Sequence, residues 1–312
     1  MGRSIILGVV GDSAAGKTTL TRGLVRVLGE ENVTHVCVDD YHRYDRRQRA
    51  ERNITPLDPD CNYIDMMAQH LAHMRAGEPF LKPVYRHDDG TFGPPTRIEP
   101  KQFSVIDGLL GYYTDDLRRL YDVRVYLAPP EELRRRWKVQ RDCSRRGYTT
   151  DQVLSELDRR EPDSEEFIRP QQAHADIVVS FLPTTGDPEH LDAELVLRPT
   201  LKHPDFRPVL DGEVDASDGI RISERDGELH LFIPGSFDGE RAHAIEEMIW
   251  AELHFASHLR SERLGEFTIG TDLHRSESLA LIQLLVLYHL FTATASVALG
   301  GTGTRAAEPV AG

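Results

Sequence analysis

The sequence predicts an α/β protein built on a doubly wound, mainly parallel sheet, followed by a smaller α+β extension. Residues 4–10 (SIILGVV) form a continuous apolar run that stops at Gly11, as expected of a parallel strand covered on both faces. Similar runs recur at 33–38, 103–106, 123–127 and 177–181, with helical stretches between them. Strand–helix alternation of this kind implies crossover connections and parallel pairing. After about residue 185 the pattern gives way to short strands (194–199, 219–223, 229–234) and then two helices, 239–260 and 276–295.

In chain order, the first helix is expected over 17–28, where Leu20, Leu24, Val25 and Leu28 share one face. Further helices are expected at 62–76, 130–146 and 150–160. Ligands of such sheets sit beyond the carboxyl ends of the strands. Asp39, Asp40 and Asp107 all fall at such ends. This divides the chain into a first domain over 1–185, an extension over 186–300 and a small, polar tail over 301–312 expected to be disordered.

The 312 residues include 28% charged and 39% hydrophobic side chains, a globular composition, with a formal net charge of −14. That acidity argues against general nucleic-acid binding, which needs a basic footprint. The three cysteines, Cys37, Cys61 and Cys143, read as free thiols in a reducing, cytoplasmic setting. No His/Cys spacing suggests a structural zinc. Residues 279–299 approach membrane-spanning length, but Gln283, Tyr288 and His289 interrupt them, so a buried packing helix is expected and no membrane.

The first run ends in Gly11-Asp12-Ser13-Ala14-Ala15-Gly16-Lys17-Thr18, a full G-x-x-x-x-G-K-[ST] phosphate-binding loop between strand and helix. Its glycines let the backbone wrap phosphates, its amides point at them, and the helix adds its N-terminal dipole. Lys17 is expected on the β- and γ-phosphates and the Thr18 hydroxyl on Mg²⁺, with Thr19 beside them. The motif means nucleotide binding; it does not separate a kinase from other nucleotide enzymes.

The second strand ends in Val38-Asp39-Asp40-Tyr41-His42-Arg43-Tyr44-Asp45-Arg46. A carboxylate facing a phosphate loop can accept a hydroxyl proton, and nearby bases can hold a phosphate on the acceptor. Asp39 is the candidate base; Asp40 is expected to be structural, Asp45 solvated, and His35 a packed or edge histidine. Later come Lys82-Pro83-Val84-Tyr85-Arg86-His87, Val105-Ile106-Asp107-Gly108-Leu109-Leu110, and the basic stretch RRRWKVQRDCSRR at 134–146. Together with ITPLDPDCNYIDMM and RREPDSEEFIRPQQAHADIVV, this order resembles the phosphoribulokinases, in the form found in plants and cyanobacteria.

The resemblance implies a P-loop kinase fold, ATP and Mg²⁺ as cofactors, and a sugar phosphate, ribulose 5-phosphate, as acceptor. It implies Asp39 as the base, with Lys17, Lys138 and Arg141 assisting transfer. It places His42, Arg46, Tyr85, His87, Asp142 and Arg146 near the acceptor. Arg159 and Arg160 fall by the nucleotide, and Asp107 joins Thr18 in supporting the metal. It further implies a homodimer or larger assembly. Two departures stand out. Ala15 and Cys37 occupy the positions of a regulatory cysteine pair, so no thioredoxin-type switch is expected. Asp107-Gly108-Leu109-Leu110 replaces a family Glu-Gly-Leu-His. They leave open a kinase for a nucleoside or another sugar phosphate, and a non-catalytic nucleotide-binding paralogue.

Overall fold

The computed structural model describes residues 3–184, 187–206, 219–235, 239–253, 256, 259–261, 263–269 and 272–304. Most of the expected tail lies outside the described residues. The chain forms two compact units, one of residues through Lys17 with Glu31–Ala175, the other of Thr18–Glu30 with the chain from Asp176 onward.

In the first unit, strands β1 (Ile5–Gly11), β2 (Val33–Cys37), β5 (Phe103–Gly108) and β6 (Val123–Leu127) make a parallel sheet in the order β2-β5-β1-β6. Every residue of β1, β5 and β6 is buried, as the apolar runs require. Register pairs Val10 with Gly108 and Cys37 with Asp107. One sheet edge therefore gathers the chain leaving three strands: the phosphate loop after β1, the turn Val38–Tyr41 after β2, and Asp107 on β5. Helices α2 (Arg46–Arg52), α3 (Ile64–Ala76), α4 (Asp115–Arg118), α5 (Glu131–Arg146) and α6 (Thr150–Asp163) complete this unit.

A hairpin of β3 (Phe80–Arg86) and β4 (Thr91–Ile98) has no counterpart among the expected elements. Its register slips between Lys82 and Val84, where Pro83 has no N–H for the ladder. The hairpin is tied to the turn after β2 through Asp40, which pairs with Lys82 and accepts a hydrogen bond from Tyr85 N at 2.8 Å. Asp40 is thus structural, as the sequence suggests.

In the second unit, β7 (Ile177–Thr184), β8 (Asp187–Leu197), β9 (Arg221–Arg225) and β10 (Glu228–Ile233) pair antiparallel in the order β7-β8-β10-β9. A short hairpin joins β11 (Glu266–Ile269) to β12 (Asp272–Arg275). The unit's helices are α7 (Gly239–Glu252) and α8 (Glu277–Ala298). By length and composition α8 could cross a bilayer, yet its residues from Ser278 to Phe291 are buried inside the protein. The first helix, α1 (Lys17–Leu28), packs here from Thr18 onward. At Gly23 a Cβ would stand 2.0 Å from Gln283 Nε2, so a side chain there would displace the Gln283 amide. Gln283 Oε1 in turn accepts from Gly265 N at 2.8 Å. Arg26 adds an ion pair to Glu266 at 2.9 Å.

Candidate active site

The phosphate loop is shaped by three residues in the left-handed half of backbone space: Gly11 (φ 154°), Ala14 (φ 67°) and Gly16 (φ 98°). At Gly11 a Cβ would stand 2.5 Å from the Leu127 carbonyl oxygen, so this position tolerates no side chain. Backbone turned this way presents N–H groups as an anion-binding concavity. Lys17 folds over the loop, donating to Gly11 O at 2.7 Å and Asp12 O at 2.8 Å. Burial pushes its ammonium pKa down, against the opposing pull of Asp107, Asp39 and Asp12. Thr18 and Thr19 sit exposed on the first turn of α1.

Asp12 locks the loop rather than facing outward. It takes a hydrogen bond from Ser13 N at 2.7 Å and another from the Ser164 hydroxyl, and it lies 3.4 Å from Arg134. Arg134 is buried, bidentate on Glu131, and donates to Ser13 O at 3.2 Å.

Asp39 lies in the turn after β2, with His42, His87, Lys17 and Arg160 around it. Burial alone would push its carboxyl up, but His42, His87, Lys17 and Arg160 outweigh it and hold the carboxyl below its ordinary value. His87 Nε2 is 3.8 Å from Asp39 Oδ2. The buried His42 bonds Asn62 Oδ1 through Nδ1 at 2.8 Å and meets Tyr85 edge-on at 4.9 Å; burial pushes its pKa down. Tyr85 also meets His87 edge-on at 5.2 Å. The carboxylate, two imidazoles and phenol drawn from two distant stretches of sequence therefore stand together.

Two interactions escaped sequence reasoning. Arg49 on α2 is buried, donates to Tyr85 Oη at 2.6 Å and to Tyr44 O at 2.7 Å, and lies 5.1 Å from the Tyr85 ring. In a run as charged as RRQRAER, nothing marks one arginine as the inward one. His35 sits on the edge strand β2, as expected, but its Nε2 reaches Asp107 Oδ1 at 2.9 Å. Cross-strand register, invisible until the sheet order is known, makes that pair. Asp107 itself is buried.

Arg46 is exposed and grips the β3–β4 turn, donating to His87 O at 2.7 Å and to Asp88 O. It thereby anchors the turn that carries His87. Leu110 packs with Leu57, Leu109 and Ile168 in an apolar cluster, which accounts for an apolar side chain there. The buried Gln171, in the IRPQQAHAD stretch, accepts from Tyr112 N at 2.8 Å and donates to Leu109 O at 2.7 Å and Phe167 O at 2.8 Å. That glutamine fixes the loop after β5.

A second cationic group stands on α5 and α6. Lys138 and Asp142 are buried and paired at 2.7 Å, and Arg141 reaches the other carboxylate oxygen at 2.8 Å. Burial pushes Lys138 down to about 8, and Arg141 pushes the same way, against Asp142. Burial tends to raise Asp142, but hydrogen bonds from Arg141 and Lys138 win and lower it. Arg160 pairs with Glu156, and Arg159 grips the same carboxylate through two 2.9 Å bonds. A shallow cavity beside the loop is lined by Asp12, Ser13, Arg134, Lys138, Glu156 and Arg160. The 134–146 stretch is thus no simple solvated face, since Arg134, Lys138 and Asp142 are turned inward. The Arg146 side chain lies outside the described residues.

Burial pushes the Cys37 thiol well up, and the charges of Asp39 and Asp107 push the same way. Such a thiol stays protonated and is a poor nucleophile.

Comparison with known proteins places this geometry. Residues 6–186 match the model of the Phosphoribulokinase / Uridine kinase family. A phosphoribulokinase of Synechocystis sp. is 41% identical over 182 residues, covering 58% of this chain and 55% of that protein. The chloroplastic phosphoribulokinase of Triticum aestivum is 30% identical over 301 residues, 85% of this chain and 74% of its own length. A solved phosphoribulokinase from Rhodobacter spheroides shares the fold, with a TM-score of 0.60 at 19% identity, over 82% of this chain and 99% of that one. A P-loop, a strand-end carboxylate and a family match over more than half its length agree: the chain belongs to the phosphoribulokinase/uridine kinase family.

Proposed function

We propose that this protein uses ATP and Mg²⁺ to phosphorylate D-ribulose 5-phosphate, giving ribulose 1,5-bisphosphate. The observation that carries the reading is the position of Asp39, in the turn after β2 at the sheet edge that also bears the phosphate loop, with His87 Nε2 3.8 Å from its carboxylate. Such a group can take the proton of an acceptor hydroxyl as its oxygen attacks the γ-phosphorus in line. The bond to the β-phosphate oxygen breaks and ADP leaves. The loop amides and Lys17 hold the phosphates. Arg134, Lys138 and Arg160 supply positive field along the loop's flank, where charge develops in transfer. Asp107 and Thr18 offer the hard oxygens Mg²⁺ prefers; the metal would neutralise phosphate charge.

The acceptor side favours a molecule that already carries phosphate. Arg49, His42 and His87 gather beside Asp39 and Tyr85, Arg46 grips the turn that carries His87, and Lys138 stands on the loop's flank, together more donor groups than a neutral nucleoside needs. The 41% identity to the Synechocystis phosphoribulokinase points the same way. The family resemblance motivates a homodimer or larger assembly, and the three sparse cysteines a cytoplasmic setting. The test is a coupled assay of ADP release with ribulose 5-phosphate against uridine. Turnover only with uridine overturns the acceptor; tight ATP binding without turnover on any phosphorylated sugar overturns the activity.

A further inference from the structure

Cys37, Asp39 and His87 each offer one ligand atom, and these atoms lie within 4.8 Å of one another. The grouping is hidden in the sequence, because His87 stands on the β3–β4 hairpin while Cys37 ends β2 and Asp39 lies in the turn behind it. Sulfur, carboxylate oxygen and imidazole nitrogen together make a donor set suited to a borderline-soft divalent ion; Mg²⁺ prefers oxygen alone. We propose that Cys37, Asp39 and His87 form an inhibitory Zn²⁺ site, in which the metal occupies the carboxylate that would otherwise accept the hydroxyl proton. The inhibitory consequence rests on Asp39 being the base; the binding site does not.

The geometry needs little adjustment. Bonds of about 2.0–2.3 Å put the ligands of a tetrahedral zinc roughly 3.3–3.8 Å apart. His87 Nε2 already stands 3.8 Å from Asp39 Oδ2, on a side chain about half exposed and free to turn. Cys37 is half-buried and free, with no disulfide. Zinc binding would convert its thiol to the thiolate, the proton passing to solvent; no oxidant or reductant is involved. Three protein ligands leave a fourth position for water, as in zinc sites that are not closed by four protein ligands. Asp107, across the strand pair from Cys37, adds negative charge that offsets the nearby Lys17 ammonium.

The test uses the full chain, purified free of chelating thiols, with Zn²⁺ itself as the probe. Binding is read by competition with a chromophoric zinc chelator, and turnover is read separately at saturating Mg²⁺ and ATP. The expected result is one Zn²⁺ per chain, with turnover lost as the site fills. Cys37→Ser should weaken Zn²⁺ at least about tenfold, the lower limit for losing even an outer-shell partner, and leave zinc-free turnover unchanged. Should that variant not fold, His87→Gln in the chelator competition answers the same question. A native chain that takes up no zinc overturns the site. So does a Cys37→Ser chain that binds zinc, and is inhibited by it, as the native chain is, since zinc then acts elsewhere, for instance in place of Mg²⁺ on the nucleotide. One zinc bound through Cys37 without loss of turnover retains the site and removes Asp39 as the base, which separates the two claims.

Discussion

Replacing Asp39 with asparagine keeps the shape of the side chain and removes its charge. In the native protein that charge is stabilised by His42, His87, Lys17 and Arg160 despite burial. The substituted amide would offer no basic oxygen, so the acceptor hydroxyl would have to lose its proton to water. A positioned base contributes about 10²–10⁴-fold, equivalent to about 2.7–5.4 kcal/mol of barrier. Nucleotide binding should change little, because the loop amides and the Lys17 bonds to Gly11 O and Asp12 O do not involve residue 39. The predicted outcome for Asp39→Asn is therefore a fall in kcat of about 10²–10⁴ with ATP affinity within about threefold. ADP release coupled to NADH oxidation gives kcat, and equilibrium titration with a fluorescent ATP analogue gives affinity. Turnover within about threefold of native would show that another group takes the proton.

Lys138 gives a pH prediction. Its ammonium is pushed down to about 8 by burial, below the ordinary lysine value of about 10.4. It is charged below that pH and neutral above it, so kcat/KM should fall as pH rises through about 8. Lys138→Arg, charged throughout, should lose that alkaline limb; an unchanged profile refutes the role. The stability linkage runs oppositely: between about 8 and 10.4 the unfolded chain holds the proton that the native chain has released, so this group adds stability as pH rises there. Lys82→Met strands the Asp40 carboxylate and should cost about 3–5 kcal/mol in denaturant unfolding; a loss below about 1 kcal/mol would show that the pair is well solvated. Arg46→Ala frees the turn that carries His87. A charge-assisted hydrogen bond is worth about 1.5–3 kcal/mol, so the acceptor KM should rise about tenfold or more with the ATP KM unchanged, and an equal rise in both would contradict this.

The central strands were legible because burial on both faces writes an unbroken apolar run: SIILGV, FSVI and VRVYL need no tertiary context. The phosphate loop and the strand-end carboxylates followed from the same reading. The β3–β4 hairpin did not, because Pro83, Pro94 and Pro95 punctuate it and β4 is exposed or half-exposed throughout, leaving no alternation to detect. Helix α2, with its sequence RRQRAER, lacks any apolar stripe; its position is set by an Asp45–Gln48 capping box and by Arg49 turned inward. Buried arginines were the general blind spot. Arg49 and Arg134 read as solvent-facing charge in one dimension, and only the carbonyls, carboxylates and phenol around them in three dimensions give them a task.

The fit of Gly23 against Gln283 bears on where the protein can be cut. The stretch shared with the family ends at residue 186, yet it contains α1, whose glycine notch and Arg26 are met by Gln283 and Glu266 from well beyond that boundary. A fragment ending at the family boundary would carry the nucleotide loop on a helix that has lost its Gln283 and Glu266 partners. The helix behind the phosphate loop thus draws side-chain partners from outside the stretch that the family shares.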